Sequence, residues 1–161
     1  MQTYEQSLEQ AKEFLLTHDD YLVVSHIQPD GDAVSSTVAV GWLLSCLGKK
    51  FTLINEGPIP ERMKFLCLSE QIVNMELHPP ERSFKHVICV DCADFGRVGL
   101  TQQCFAPDVL ILNIDHHPTN NGYGNATLIK PDAAATAEIL YDLIHAFGFQ
   151  WTKEIATAIY T

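Results

Sequence analysis

The segment His26-Ile27-Gln28-Pro29-Asp30-Gly31-Asp32 sets one imidazole and two carboxylates within seven residues, on a path shaped by Pro29 and Gly31. Proline fixes φ, and glycine accepts backbone angles that other residues resist. Two further polar groups end apolar runs: Asp91 follows residues 86–90, and Asp115-His116-His117 closes residues 109–114. Together these are four carboxylates and three imidazoles. Mixed oxygen and imidazole donors suit two five- or six-coordinate cations, with manganese favoured over zinc because no thiolate is needed. Two such ions about 3.5–4 Å apart, sharing a bridging carboxylate, lower the pKa of a bridging water and stabilise charge on a phosphoryl oxygen. The chemistry is therefore metal-assisted hydrolysis of a phosphate ester or anhydride. Plainer readings stand beside it: Asp32 as a helix N-cap, Asp91 as a capping or turn aspartate, the histidine pair as ordinary loop residues. Placement of all three groups at one edge of one sheet argues against them.

The elements that would supply that edge can be read from periodicity. Leu8, Ala11 and Leu15 predict an opening helix over 3–18, and Tyr21–Ser25 a short strand. Residues 33–47 predict a helix closed by Gly48 at C′, followed by a strand over 50–54. Residues 61–68 read as helical, and Ile72-Val73 as the start of a weak strand. The runs at 86–90 and 109–114 read as strands buried on both faces of a parallel sheet. Residues 133–147 predict a helix ended by Gly148, and a last helix begins near Thr152 as N-cap. Alternating strands and helices give an α/β class, a doubly wound, mainly parallel sheet flanked by helices. Ligands of such sheets collect at the carboxyl ends of the strands, where each of the three polar groups falls.

Composition bounds the function. With 161 residues, 47% hydrophobic and 19% charged, the chain has the makings of one folded domain. It has no apolar run near the roughly 20 residues that cross a bilayer, and no signal-peptide start, so a cytoplasmic protein without membrane contact is expected. Cysteines at 46, 67, 89, 92 and 104 form no disulfide framework, and Cys89-x-x-Cys92 lacks the second pair a zinc site requires. The net charge of −10 disfavours duplex nucleic acid as a partner. It is compatible with an anionic substrate only where cations offset it locally.

The ordered motifs carry a resemblance. His26-x-x-Pro29-Asp30-Gly31-Asp32-Ala33, Val90-Asp91-Cys92-Ala93-Asp94 with Arg97, and Ile114-Asp115-His116-His117-Pro118-Thr119-Asn120 resemble motifs I, II and III of the DHH phosphoesterase family. The resemblance implies that His26 and Asp30 bind one manganese, Asp32 and His116 the other, and that Asp91 bridges both; magnesium or cobalt are substitutes. It implies that His117 contacts a substrate phosphate and Asp115 takes part in catalysis by orienting its neighbours. Arg97 is a candidate to contact phosphate or to brace Asp94. The Pro-Asp-Gly-Asp form and residues 131–138 look most like the branch of bacterial nano-RNases, which degrade very short RNAs and dephosphorylate 3′-phosphoadenosine 5′-phosphate. A small nucleotide or very short RNA is thus the implied partner, with a homodimer allowed. Val34-Ser35 departs mildly from the family's Leu-Gly.

A larger departure is the family's fourth motif, with a metal-binding aspartate after a strand-like segment corresponding to 155–160; no aspartate follows Asp142 here. Residues 1–161 are accordingly expected to be a single N-terminal DHH domain without the C-terminal substrate-binding domain. Two alternatives remain beside the oligoribonucleotide reading: a family II-like inorganic pyrophosphatase, and a non-catalytic metal- or nucleotide-binding module. Trp42 is assigned to core or dimer packing, Phe147 and Trp151 to an apolar patch, and His18, His78, His86 and His145 to non-site roles.

Overall fold

Short runs of β-branched and other apolar residues form strands wherever helices can cover both sides of them. In the computed structural model, which describes Met1–Thr161, these are β1 (Tyr21–Val24), β2 (Phe51–Asn55), β3 (Val73–Asn74), β4 (Phe84–Val90), β5 (Phe105–Asp115) and β6 (Ala126–Ile129). They form one sheet in the order β3-β2-β1-β4-β5-β6, and every pairing is parallel. Alternate residues feed two cores. Val23, Ile88, Val90, Leu112 and Ile114 belong to the larger, of 27 buried residues. Leu22, Val24, Val87, Cys89 and Ile111 belong to the smaller, of 11.

The α/β class and parallel sheet are as expected. The two faces are covered differently. All four α-helices, α1 (Tyr4–Thr17), α2 (Gly31–Cys46), α3 (Thr136–Phe147) and α4 (Lys153–Tyr160), contribute to the larger core. The smaller core is closed by a 3-10 segment, Phe95–Cys104, together with Tyr123. Neither that segment nor β6 was legible in the sequence. β6 is only four residues long and follows Gly122 and Gly124, which read as loop.

Local differences have local causes. α2 begins at Gly31, and its N-cap is Asp30, whose Oδ1 accepts from the Ala33 amide at 3.0 Å. Asp32 lies inside the first turn, so the reading of Asp32 as N-cap of this helix is corrected. At the other end Gly48, at φ 69°, completes a Schellman motif: the Gly48 and Lys49 amides donate to the carbonyls of Ser45 and Leu44. Residues 61–68 form no α-helix. Met63 and Leu66, three apart, are buried through 3-10 turns, which place residues i and i+3 on one side. The 155–160 segment is helical, not strand-like, because Ile155, Ala158 and Ile159 share one face of α4. α3 begins at Thr136 rather than 133, since residues 131–134 are turn and bend and Ala135 is extended. Trp42 packs on the larger core and meets Phe149 edge-on at 6.4 Å. Phe147 and Trp151 are half-buried, while Tyr141 and Tyr160 are exposed.

The chain runs outward from β1 to β2 and β3, then crosses back to β4 and continues to β5 and β6. The crevice between the carboxyl ends of β1 and β4 is therefore the topological switch point, where open parallel sheets bind ligands. One glycine shapes its wall. Gly99 sits at φ 65°, ψ −140°, and a Cβ there would meet Glu56 Oε2 and the Ile27 side chain next to His26. Glu56 Oε2 instead accepts the Leu100 amide at 2.6 Å. Gly99→Ala is expected to cost about 1–3 kcal/mol, read as a lower urea midpoint at unchanged slope.

Candidate metal centre

Three strand ends deliver the cluster. His26 follows β1 by two residues and is buried. Its Nδ1 lies 2.7 Å from the Ile27 carbonyl, which can only accept, so Nδ1 carries the proton. Nε2 is thereby turned to the carboxylates, 3.7 Å from Asp30 Oδ1 and 3.5 Å from Asp91 Oδ2. His116, after β5, repeats the device. Its Nδ1 donates to the Ala133 carbonyl at 3.2 Å, and Nε2 lies 3.6 Å from Asp32 Oδ2 and 3.7 Å from Asp91 Oδ1. Hydrogen bonds that pin one ring nitrogen and free the other are the usual preparation of a histidine ligand.

Asp91 is the centre of the arrangement. It terminates β4 at φ 52°, a left-handed conformation uncommon for a residue with a Cβ, and its amide donates to the Ile114 carbonyl at 3.0 Å. It is 2% exposed. Its two oxygens face different partners: Oδ2 faces His26, and Oδ1 faces His116, His117 Nδ1 at 3.8 Å, and the Thr136 hydroxyl, which donates at 2.9 Å. Burial pushes the Asp91 carboxyl up, but contacts from His26 and Thr136 and the imidazole charges outweigh it and hold it below the ordinary carboxylate range. Across the same contact, Asp91 raises His26. Asp32 moves the other way: burial first, and then the Asp91 charge, push it up. Two like-charged carboxyls are thus held together.

This donor set fits divalent cations. Ligand atoms about 2.0–2.2 Å from a common ion lie roughly 3–4 Å from one another, the range of the spacings above. Two groups, His26-Asp30-Asp91 and Asp91-His116-His117, share Asp91, with donor atoms in each within 4.8 Å of one another. Asp32 joins the second through His116.

The remaining expected residues surround the cluster. Asp115 is fully buried; its Oδ1 accepts from His117 Nδ1 at 2.7 Å and its Oδ2 from Asn120 Nδ2 at 2.7 Å. Asn120 also donates to Asn113, whose amide reaches the Cys89 and Cys92 carbonyls and Tyr123. The Arg97 guanidinium lies 3.5 Å from His26 Nδ1 and braces no carboxylate. Asp94 instead accepts the Gly96 amide at 2.8 Å, so the bracing role considered for Arg97 is not found. Thr136, Asn113 and Asn120 were not singled out from the sequence as site residues. Asn113 did carry a signal, an amide inside an apolar strand, whereas Thr136 was hidden in an alanine run.

Fold and cluster together define a parallel α/β domain with a carboxylate–imidazole centre at its switch point. The chain belongs to the DHH family: residues 20–161 match the family's N-terminal domain. It is similar to the bifunctional oligoribonuclease and PAP phosphatase NrnA of Thermus thermophilus, 34% identical over 141 residues, covering 86% of this chain and 40% of that protein. The protein of the same name from Bacillus subtilis is 20% identical over 146 residues, covering 89% and 44%. The chain thus spans less than half the length of these curated relatives. Among solved structures, an exopolyphosphatase-related protein from Bacteroides fragilis superposes with a TM-score of 0.88 at 23% identity, over 98% of this chain and 48% of that one. Exonuclease RecJ bound to manganese gives 0.51 at 19%, over 99% and 42%. These last two likenesses concern the fold.

The Cys89-x-x-Cys92 pair stays apart from this chemistry. Both thiols are buried, and burial pushes Cys89 well up and Cys92 to about 11. In the native chain a maleimide should label exposed Cys46, leaving Cys89, Cys92 and Cys104 unlabelled until urea opens the fold. Peptide mass spectrometry reads the pattern, and native labelling of Cys92 would reopen a thiolate role.

Proposed function

We propose that this chain carries the two-cation centre of a manganese-dependent phosphoesterase acting on short oligoribonucleotides or 3′-phosphoadenosine 5′-phosphate. The observation that carries the reading is the split of Asp91, with one carboxylate oxygen turned to His26 and the other to His116. A carboxylate that bridges two ions needs that division. The Thermus relative's name, an oligoribonuclease and PAP phosphatase, supports the substrate class.

His26 and Asp30 would hold one ion, Asp32 and His116 the other, and Asp91 both. Cations bound there would supply Lewis acidity toward a phosphoryl oxygen and activation of water. The chain's own residues do the positioning. His117, half-buried at the rim and tied through Nδ1 to Asp115, turns its other nitrogen to a substrate phosphate. The exposed Arg97, free of any carboxylate partner, offers a bidentate cation to the same phosphate. With a net charge of −10, affinity comes from this local centre, which favours a small substrate over a duplex. No helix is long and apolar enough to cross a membrane, and a cytoplasmic setting is part of this reading.

Calorimetric titration with Mn2+ should give two ions per chain, with Asp91→Ala abolishing uptake and His116→Ala leaving one. Under Mn2+, a two-nucleotide RNA and 3′-phosphoadenosine 5′-phosphate should be cleaved, and Asp91→Ala should lower turnover by at least about 10²-fold. Retained turnover in Asp91→Ala would refute the bridging role, and faster cleavage of pyrophosphate than of either nucleotide would favour an anhydride hydrolase.

A further inference from the structure

α3 lacks the cap that a twelve-residue helix ordinarily carries. Its N-cap is Ala135, which has no side-chain acceptor for the orphan amides of the first turn. Two of those amides are satisfied from 104 and 105 positions earlier in the chain. The Thr136 amide donates to Asp32 Oδ2 at 2.9 Å and the Ala137 amide to Asp32 Oδ1 at 3.1 Å. Thr136 also donates through its hydroxyl to Asp91 Oδ1 at 2.9 Å and is itself fully buried. One residue therefore holds two carboxylates that arrive from different parts of the sheet edge. The carbonyl of Ala133, just before the helix, accepts from His116 Nδ1. No lysine or arginine pairs with either carboxylate; the start of α3 supplies three of the four hydrogen bonds they accept, and the fourth comes from the Ser36 hydroxyl to Asp32 Oδ1 at 3.3 Å.

We propose that Thr136 is a positioning residue for the cation centre, and that the first turn of α3 clamps Asp32 and Asp91 in their ligating orientations. The hydroxyl takes one lone pair of Asp91 Oδ1 and leaves the other for a cation, which sets the direction from which an ion is met. The two amides orient Asp32, one on each oxygen; Oδ1 also accepts from Ser36, and Oδ2, with its single donor, is the oxygen turned toward His116. An ordinary buried threonine would need only one acceptor, such as the i−4 carbonyl that Thr37 uses in α2. Thr136 has its hydroxyl on the carboxylate to which the two candidate ion sites are common. The inference rests on the proposed cation centre for its purpose, whereas the clamp is a property of the chain alone.

Two measurements on the 161-residue chain separate these layers. Thr136→Val keeps the volume and removes the donor; it should weaken Mn2+ binding by about 10–100-fold, while the metal-free chain keeps a cooperative thermal transition at a lowered midpoint. Thr136→Ser restores the donor and should bind within about threefold of the parent. Equal Mn2+ affinity in Thr136→Val, or a serine variant as weak as the valine one, overturns the positioning role. In the metal-free chain, Asp32→Ala should speed hydrogen exchange at the Thr136 and Ala137 amides by about fivefold or more, the loss expected for a deleted N-cap. Unchanged exchange overturns the clamp. Should the parent chain take up no Mn2+, the cation reading fails and the positioning role fails with it, while the exchange result still decides whether Asp32 holds α3.

Discussion

A carboxylate buried to 2% exposure with no lysine or arginine against it is the constraint from which the site follows. Burial of an unpaired charge costs many kcal/mol, so Asp91 is tolerable only because positive or hydrogen-donating groups converge on it. The fold supplies imidazoles from two strand ends and a hydroxyl from a helix start. The backbone of Asp91 is itself left-handed, a cost of about 1–3 kcal/mol that the surrounding structure must hold in place. Asp32 adds a second carboxyl close enough to feel the first. Such an assembly has too little positive charge of its own, and a cation is the natural complement.

The sheet is what makes that concentration of charge possible. Parallel strands end on the same side, so β1, β4 and β5 deliver His26, Asp91 and His116 to one rim although 90 positions separate the first from the last. The reversal of winding between β1 and β4 leaves the crevice open there rather than filled by a connecting loop. Apolar packing beneath is dense on both faces, and Gly99 lets Glu56 and Ile27 close the wall of the loop that carries His26. The hydrogen-bonded chain from Asn113 through Asn120 and Asp115 to His117 then stiffens the opposite side. Each side-chain polar atom of Asn113, Asn120 and Asp115 has a partner, as a buried network requires.

Legibility was uneven for physical reasons. The runs at 86–90 and 109–114 were readable because strands buried on both faces leave no polar alternation to confuse. Gly48 was readable because the C′ position tolerates few other residues. Residues 61–68 misled because spacing of three or four fits an α-helix and a pair of 3-10 turns alike. β6 and the 95–104 segment were invisible because each owes its shape to neighbours rather than to its own propensity. The C-terminal helix was blurred by β-branched residues that suit either a strand or one face of a helix.

By itself the sequence determined the donor types, their attachment to the ends of apolar strands, and the charge balance that asks for cations, since these depend only on local composition and spacing. It also carried the family, through motifs short enough to survive as contiguous residues. Tertiary structure alone decided which oxygen of Asp91 meets which imidazole, that Asp32 caps α3 rather than α2, and that Thr136 belongs to the site. Those facts are contacts across about 25 to 105 positions, set by strand order and helix docking, and nothing in local spacing encodes them.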